Sequence, residues 1–226
     1  MPPARRGQLA ASALAAGAIA TLWAGAASAD DMAAGAHTRF QAQYLRAGPA
    51  APYRDHVIGG LAMRGFIGSR HVQYAAAIDF ELGGTNPGGF AYHQHLRPIG
   101  IAFVDEALRL SSTVGIGVDG VTSRVPPTTR IPVDFLLELP LQDQLKIELA
   151  GELAWLPIEE TRRDGAALAS IADESAFSIR LRLDRRFDPG RIARNGIDLG
   201  LALRERHGVL LIGPTLGYSL DGTYGF

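Results

Sequence analysis

From about residue 38 onward the chain alternates apolar and polar side chains with a period of two, and it keeps that rhythm through segment after segment. Successive side chains of a strand point to opposite faces, so the rhythm predicts strands with one apolar and one polar face. It is clearest in Phe177, Ile179, Leu181 and Leu183, set among Ser178, Arg180, Arg182 and Asp184. The same pattern places Leu145, Ile147, Leu149, Leu153 and Trp155 against Lys146, Glu148, Ala150, Glu152 and Ala154. Val133, Phe135, Leu137 and Leu139 surround Asp134 and Glu138, and Ile197 to Leu203 alternate with Asp198, Gly200, Ala202 and Arg204. Earlier, Ile78, Phe80 and Leu82 enclose Asp79 and Glu81, while Val114, Ile116 and Val118 enclose Gly115 and Gly117. The only helical expectation after the N-terminal segment is a short turn among the alanines of residues 161–172.

These runs predict about ten strands, with eight to twelve as the range, starting near residues 38, 57, 72, 89, 107, 130, 144, 174, 196 and 208. Several exceed the usual soluble length of about 5 to 6 residues and match the roughly 9 to 11 that a tilted membrane-crossing strand needs. Longer connections are expected at residues 47–56, 84–88, 120–129 and 157–173, the second of them a turn built on Gly83, Gly84, Gly88 and Gly89. Short ones are expected at 69–71, 104–106 and 141–143. Short turns at one end and longer loops at the other describe an all-β, up-and-down antiparallel transmembrane β-barrel.

Composition sharpens that picture. The chain has 226 residues with 47% in the hydrophobic class, 22 basic against 23 acidic side chains, and no cysteine. The charge balance offers no basic field for nucleic acid, and the missing cysteine excludes disulfides, thiolate nucleophiles and Cys-based zinc sites. The sole lysine, Lys146, argues against a sheet whose polar face meets bulk water. That face instead mixes small residues with charges of both signs: Asp79, Glu81, Asp134, Glu138, Glu148, Glu152, Asp184 and Asp198 against Arg64, Arg109, Lys146, Arg180, Arg182 and Arg204. Such a set suits a narrow lumen, where a charge is tolerable only if paired or wet. A one-residue slip of the strand at 177–183 would turn Arg180 and Arg182 into lipid, at about 2–4 kcal/mol each near the midplane.

At the N-terminus, Arg5 and Arg6 precede an uncharged, alanine-rich stretch that ends in Ala27, Ser28 and Ala29. This predicts a secretory signal peptide over residues 1–29, cleaved before Asp30, with the barrel domain in residues 30–226; a retained membrane anchor is the weaker alternative. At the other end, Phe226 is preceded in alternating phase by Tyr224, Leu220, Tyr218 and Leu216. With the signal and the alternating segments, this resembles the bacterial outer-membrane β-barrel proteins. The resemblance implies a place in outer-membrane lipid and Phe226 and Tyr224 as an assembly signal read by the barrel-assembly machinery; it names no extracellular partner. Gly222 and Pro214 depart from that pattern, since a larger apolar residue is usual at the first and proline removes a ladder donor at the second. Tyr44, Phe80, Phe90, Tyr92, Trp155, Phe177, Tyr218 and Tyr224 are expected near strand ends, as interface girdles.

Candidate chemistry is confined to Tyr92-His93-Gln94-His95-Leu96-Arg97, followed by Pro98. If Pro98 marks a bulge, His93, His95 and Arg97 face inward while Ile99, Ile101 and Phe103 stay outside. Two histidines at i and i+2 on one strand face can share a metal or supply a base. Near Asp79, Glu81 and Ser111, His93 and His95 would be the catalytic candidates of an outer-membrane hydrolase. No G-x-S-x-G or H-E-x-x-H motif supports that role, and polar packing of the lumen is the preferred reading, with no metal or cofactor expected. The sequence thus favours a non-enzymatic barrel with a structural, surface-interaction or narrow-channel role. The alternatives are the hydrolase and a soluble, lipocalin-like periplasmic carrier.

Overall fold

The computed structural model describes residues 32–48, 55–86, 88–105, 107–121, 125–142, 144–155, 174–186, 193–206 and 209–225. They form ten strands: β1 (Met32–Ala47), β2 (Asp55–Ser69), β3 (Val72–Asn86), β4 (Gly89–Val104), β5 (Arg109–Val121), β6 (Val125–Gln142), β7 (Leu145–Trp155), β8 (Glu174–Arg186), β9 (Ala193–Arg206) and β10 (Val209–Gly225). Each strand pairs antiparallel with its sequence neighbour, and β1 pairs with β10 from Ala33↔Gly225 to Ala47↔Leu211, which closes the barrel. The architecture is the all-β, ten-stranded antiparallel barrel that the alternation predicts. Closure satisfies the backbone donors and acceptors of both end strands, which no open sheet could do in lipid.

The observed strand starts lie within three residues of the expected ones except in β1 and β6, which begin at Met32 and Val125. Their first residues, Met-Ala-Ala-Gly-Ala and Val-Pro-Pro-Thr-Thr, lack polar contrast, so no alternation marks them as strand. Ladder pairing extends them regardless. The expected loops at 84–88 and 120–129 shrink for the same reason, because the strands run on to Asn86 and Val121 and resume at Gly89 and Val125. Gly83 and Gly84 therefore belong to a strand and not to a turn; a Cβ on Gly83 would collide with the Val57 carbonyl oxygen of β2. The signal peptide, the 161–172 segment and Phe226 lie outside the described residues, as do the side chains of Trp155 and Tyr224.

The apolar face points out. In β9, Ile197, Leu199 and Leu201 are 54%, 60% and 56% exposed, while Asp198 between them is 1% exposed. The same division holds in β8, where Phe177, Ile179, Leu181 and Leu183 face outward and Ser178, Arg180, Arg182 and Asp184 are buried. An apolar exterior around a polar interior is the reverse of a soluble sheet and the form of a barrel surrounded by lipid. It also removes the lipocalin-like carrier, whose apolar face would turn inward. Even the shortest strand, β7 with 11 residues, is long enough to cross a bilayer at the usual tilt. The aromatic girdle is only partial: Tyr44 and Phe90 stand near strand ends, but Phe80 and Tyr218 sit in the middle of β3 and β10 and serve as lipid-facing bulk.

Two irregularities shape the walls. In β4 the ladder gains a residue against both neighbours, with Tyr74↔Ile101 and Ala77↔Arg97 on one side and Leu96↔Ile116 and Ile99↔Val114 on the other. The extra residue falls at Pro98, which cannot donate to a ladder, and the Tyr74 hydroxyl donates to the Pro98 carbonyl. His93, His95 and Arg97 consequently keep one phase into the lumen while Leu96, Ile99 and Phe103 remain outside. The second is the β2–β3 hairpin, where Gly68 has φ of 155° and Ser69 Oγ accepts from Val72 N at 3.0 Å. A Cβ on Gly68 would lie 2.6 Å from the Val72 carbonyl oxygen, so the position requires glycine twice over.

Candidate functional site

The interior contains few apolar groups. Leu45, Ala47, Ile58, Ala202, Val209 and Leu211 cluster toward the end where β1 joins β2, and Phe66, Ala75 and Ala102 toward the opposite end. Between them the lumen is filled by charged side chains that pair across strands distant in sequence.

One group lies on the half nearer the chain ends. Arg39 of β1 pairs with Glu148 of β7 and places its Nε 3.1 Å from Asp198 Oδ2 of β9. Arg182, fully buried, reaches Asp184 at 2.5 Å, Asp221 at 2.8 Å and Glu148 at 3.5 Å. His37 pairs with Asp221, and Lys146 lies 3.3 Å from Asp184 and 3.6 Å from Asp221. Ser219 Oγ donates to Asp198 Oδ2 at 2.5 Å. Toward the same rim, Arg109 Nη1 lies 3.5 Å from Glu138 Oε2 and its guanidinium stacks 5.0 Å from the Phe66 ring centre.

A second group occupies the middle. Arg204 donates from both Nη atoms to the Glu81 carboxylate at 2.5 and 2.6 Å, and Gln41 Nε2 donates to the same group at 2.7 Å. Arg180 Nη2 donates to Gln41 Oε1 at 3.4 Å. Arg64 pairs with Asp134 and donates to Ser111 Oγ at 2.6 Å; Thr113 adds two further donors to Asp134 Oδ1, at 2.9 and 2.6 Å. Arg97 holds Asp79 and Glu152 together and lies 3.3 Å from Asp134.

The third group holds the histidines. The ladder sets Asp79 opposite His95 and Glu81 opposite His93 on β3, and Asp119 opposite His93 on β5. Asp119 Oδ1 stands 2.9 Å from His93 Nδ1 and 3.2 Å from His95 Nε2. Glu152 Oε1 of β7 faces the remaining ring nitrogens, His95 Nδ1 at 3.1 Å and His93 Nε2 at 3.8 Å. Two imidazoles, centred 3.7 Å apart, therefore lie between two carboxylates. Ser111, the serine considered beside them, accepts from Arg64.

The fourteen charged residues assigned to the lumen from the alternation all point inward, in the groups just described. Sequence reasoning passed over Asp119, Arg130, His37, Arg39 and Asp221, which also point inward. Asp119 continues the inward phase of Gly115 and Gly117, and His37 and Arg39 alternate with Thr38 and Phe40. The phase was readable; glycines and uncontrasted neighbours concealed where it began and ended. Glu152's approach to both histidines was not readable, because it depends on barrel closure bringing β7 opposite β4.

No family model matches the chain, and no curated protein matches it. Among solved structures, the chain is similar to the beta domain of the Bordetella autotransporter BrkA, at 12% identity over 84% of this chain and 98% of that one, with a TM-score of 0.48. It is also similar to the translocator domain of autotransporter NalP from Neisseria meningitidis, at 11% identity over 94% and 97%, TM-score 0.34. The outer membrane protease OmpT from Escherichia coli gives 7% identity over 89% and 99%, TM-score 0.32. These neighbours are bacterial outer-membrane barrels. At such identities nothing of their activities transfers to this chain.

Proposed function

We propose that the chain is an outer-membrane barrel whose lumen is closed by paired charges, and that it acts as a structural or surface-presenting element and not as a wide pore. The observation that carries this reading is the filling of the interior: Arg39, Arg97 and Arg204 each bridge strands three or four places apart around the ring, and Arg182 ties β8 to β7 and β10. A cavity of about 130 Å³ remains among them, room for about ten waters at roughly 10–15 Å³ each. A hydrolytic role is less well supported, because His93 and His95 are only 6% and 1% exposed and the nearby serine is engaged by Arg64. Lipid of the outer membrane and the barrel-assembly machinery, reading Phe226 and Tyr224, are the partners this reading requires. Residues 157–173 are its proposed contact point with the surroundings.

The test is electrical. In planar bilayers the purified barrel is expected to give no large, steady conductance steps, while replacing Arg39, Arg97 and Arg204 together by alanine should produce them. Steady large steps from the unaltered chain would overturn the closed-lumen reading. Cell fractionation supplies the independent test of location: the folded chain should leave the outer-membrane fraction only with detergent.

A further inference from the structure

We propose that His93, His95 and Asp119 form a binding site for a divalent transition metal of the zinc type, reached from the lumen. One ring nitrogen of each histidine and a carboxylate oxygen of Asp119 lie within 4.8 Å of one another, and all three residues are buried. The separations of 2.9 and 3.2 Å from Asp119 Oδ1 to His93 Nδ1 and His95 Nε2 are close to the edge of a tetrahedron. With metal–ligand bonds of about 2.0–2.1 Å that edge is roughly 3.3 Å, so both carboxylate–imidazole separations match what an ion needs.

Three further features point to a ligand at this place. First, Asp119 Oδ1 is buried and, despite its close neighbours, makes no aligned hydrogen bond among the described residues. Proximity without hydrogen-bond direction is what groups converging on an ion display. Second, the nitrogens not aimed at Asp119 are those that face Glu152 Oε1, at 3.1 and 3.8 Å. Histidines that ligate a metal commonly give their other N–H to a carboxylate, which fixes the tautomer and raises ligand basicity. Third, Asp119 Oδ1 is the oxygen that approaches both histidines, at 2.9 and 3.2 Å, while Oδ2 lies 3.3 Å from His95 Nε2 and 3.7 Å from Arg130 Nε.

The donor set selects the ion class. Two imidazoles and one carboxylate suit zinc and its neighbours and not calcium or magnesium, which take oxygen ligands. Three protein ligands leave a fourth position, and His93 lines the lumen cavity of about 130 Å³ from which water could fill it. Binding displaces any protons held on the two imidazoles to solvent.

The test uses the untagged, folded chain in detergent, stripped with a chelator and then titrated with Zn²⁺ by calorimetry and with Co²⁺ by visible absorption. One equivalent of Zn²⁺ with a micromolar or tighter Kd is expected, and Co²⁺ should show the intense bands of a four-coordinate site. His95→Gln and Asp119→Asn should each weaken binding by 100-fold or more. Glu152→Gln should weaken it about 10–100-fold while keeping the four-coordinate Co²⁺ spectrum, which a purely structural role would not produce. Heat-modifiable migration on gels verifies that each variant is folded; if His95→Gln is not, His93→Gln takes its place. Absence of metal uptake by the unaltered chain, or equal uptake by the folded His and Asp variants, overturns the proposal.

Discussion

At the scale of single residues, the interior and exterior obey opposite rules. Arg182 is fully buried yet meets three carboxylates within 3.5 Å, so its removal takes a shared counter-charge from Asp184, Asp221 and Glu148, which keep Lys146, His37 and Arg39 beside them, in a place water reaches poorly. Breaking a buried pair from one side costs about 3–5 kcal/mol. Arg182→Met is therefore expected to lower stability by that amount, measured by urea-induced unfolding in lipid vesicles. One strand away, Leu199 projects outward from the middle of β9. Leu199→Arg should cost about 2–4 kcal/mol in the same assay, because here a charge meets hydrocarbon. A residue's tolerance for charge depends on its phase along the strand and not on its depth in the chain.

At the scale of strands and turns, the sharpest local demand is in the hairpin joining β2 to β3. Gly68→Ala would force a side chain into a positive-φ conformation against the Val72 carbonyl, and a loss of about 1–3 kcal/mol is expected, visible as a lower urea midpoint. Gly68 was not foreseen, since a glycine before Ser69 looks like any turn residue; its φ arises from the register of Ser69 with Met32 and of Gly68 with Gln73. The bulge of β4 was foreseen, because Pro98 interrupts an otherwise regular alternation and leaves one way to keep Arg97 inside and Ile99 outside. Strand existence and facing were thus legible wherever polar and apolar residues contrast, as in β8 and β9. They faded in the Ala/Gly start of β1 and the Pro/Thr start of β6, where pairing with a neighbour decides. The histidine pair was visible as i and i+2 on one face, but its carboxylates come from β5 and β7 and needed the closed sheet to appear.

At the scale of the whole molecule, closure sets both the lumen and the membrane surface. Arg39, Arg64, Arg97 and Arg204 join strands three or four places apart around the ring, so their ion pairs act as spokes that hold the cross-section narrow. Arg39 joins β1 to β7 and β9, and Arg97 joins β4 to β3, β6 and β7. A collective opening would have to break several of them together.

The seam between β1 and β10 has another consequence. Because Ala33 pairs with Gly225, the two ends of the ladder meet, and around the ring the strands have neighbours but no first or last. A permuted chain that tethers residue 225 to residue 32 and opens between β9 and β10, at residues 207–208, would preserve every strand pairing except the local hairpin link. It is expected to reach the same heat-modifiable barrel when refolded in detergent, with unfolding at a similar urea concentration. The order of strands in the gene is then only one cut through a circular arrangement, and where that cut falls governs how the chain is delivered for assembly more than what it becomes.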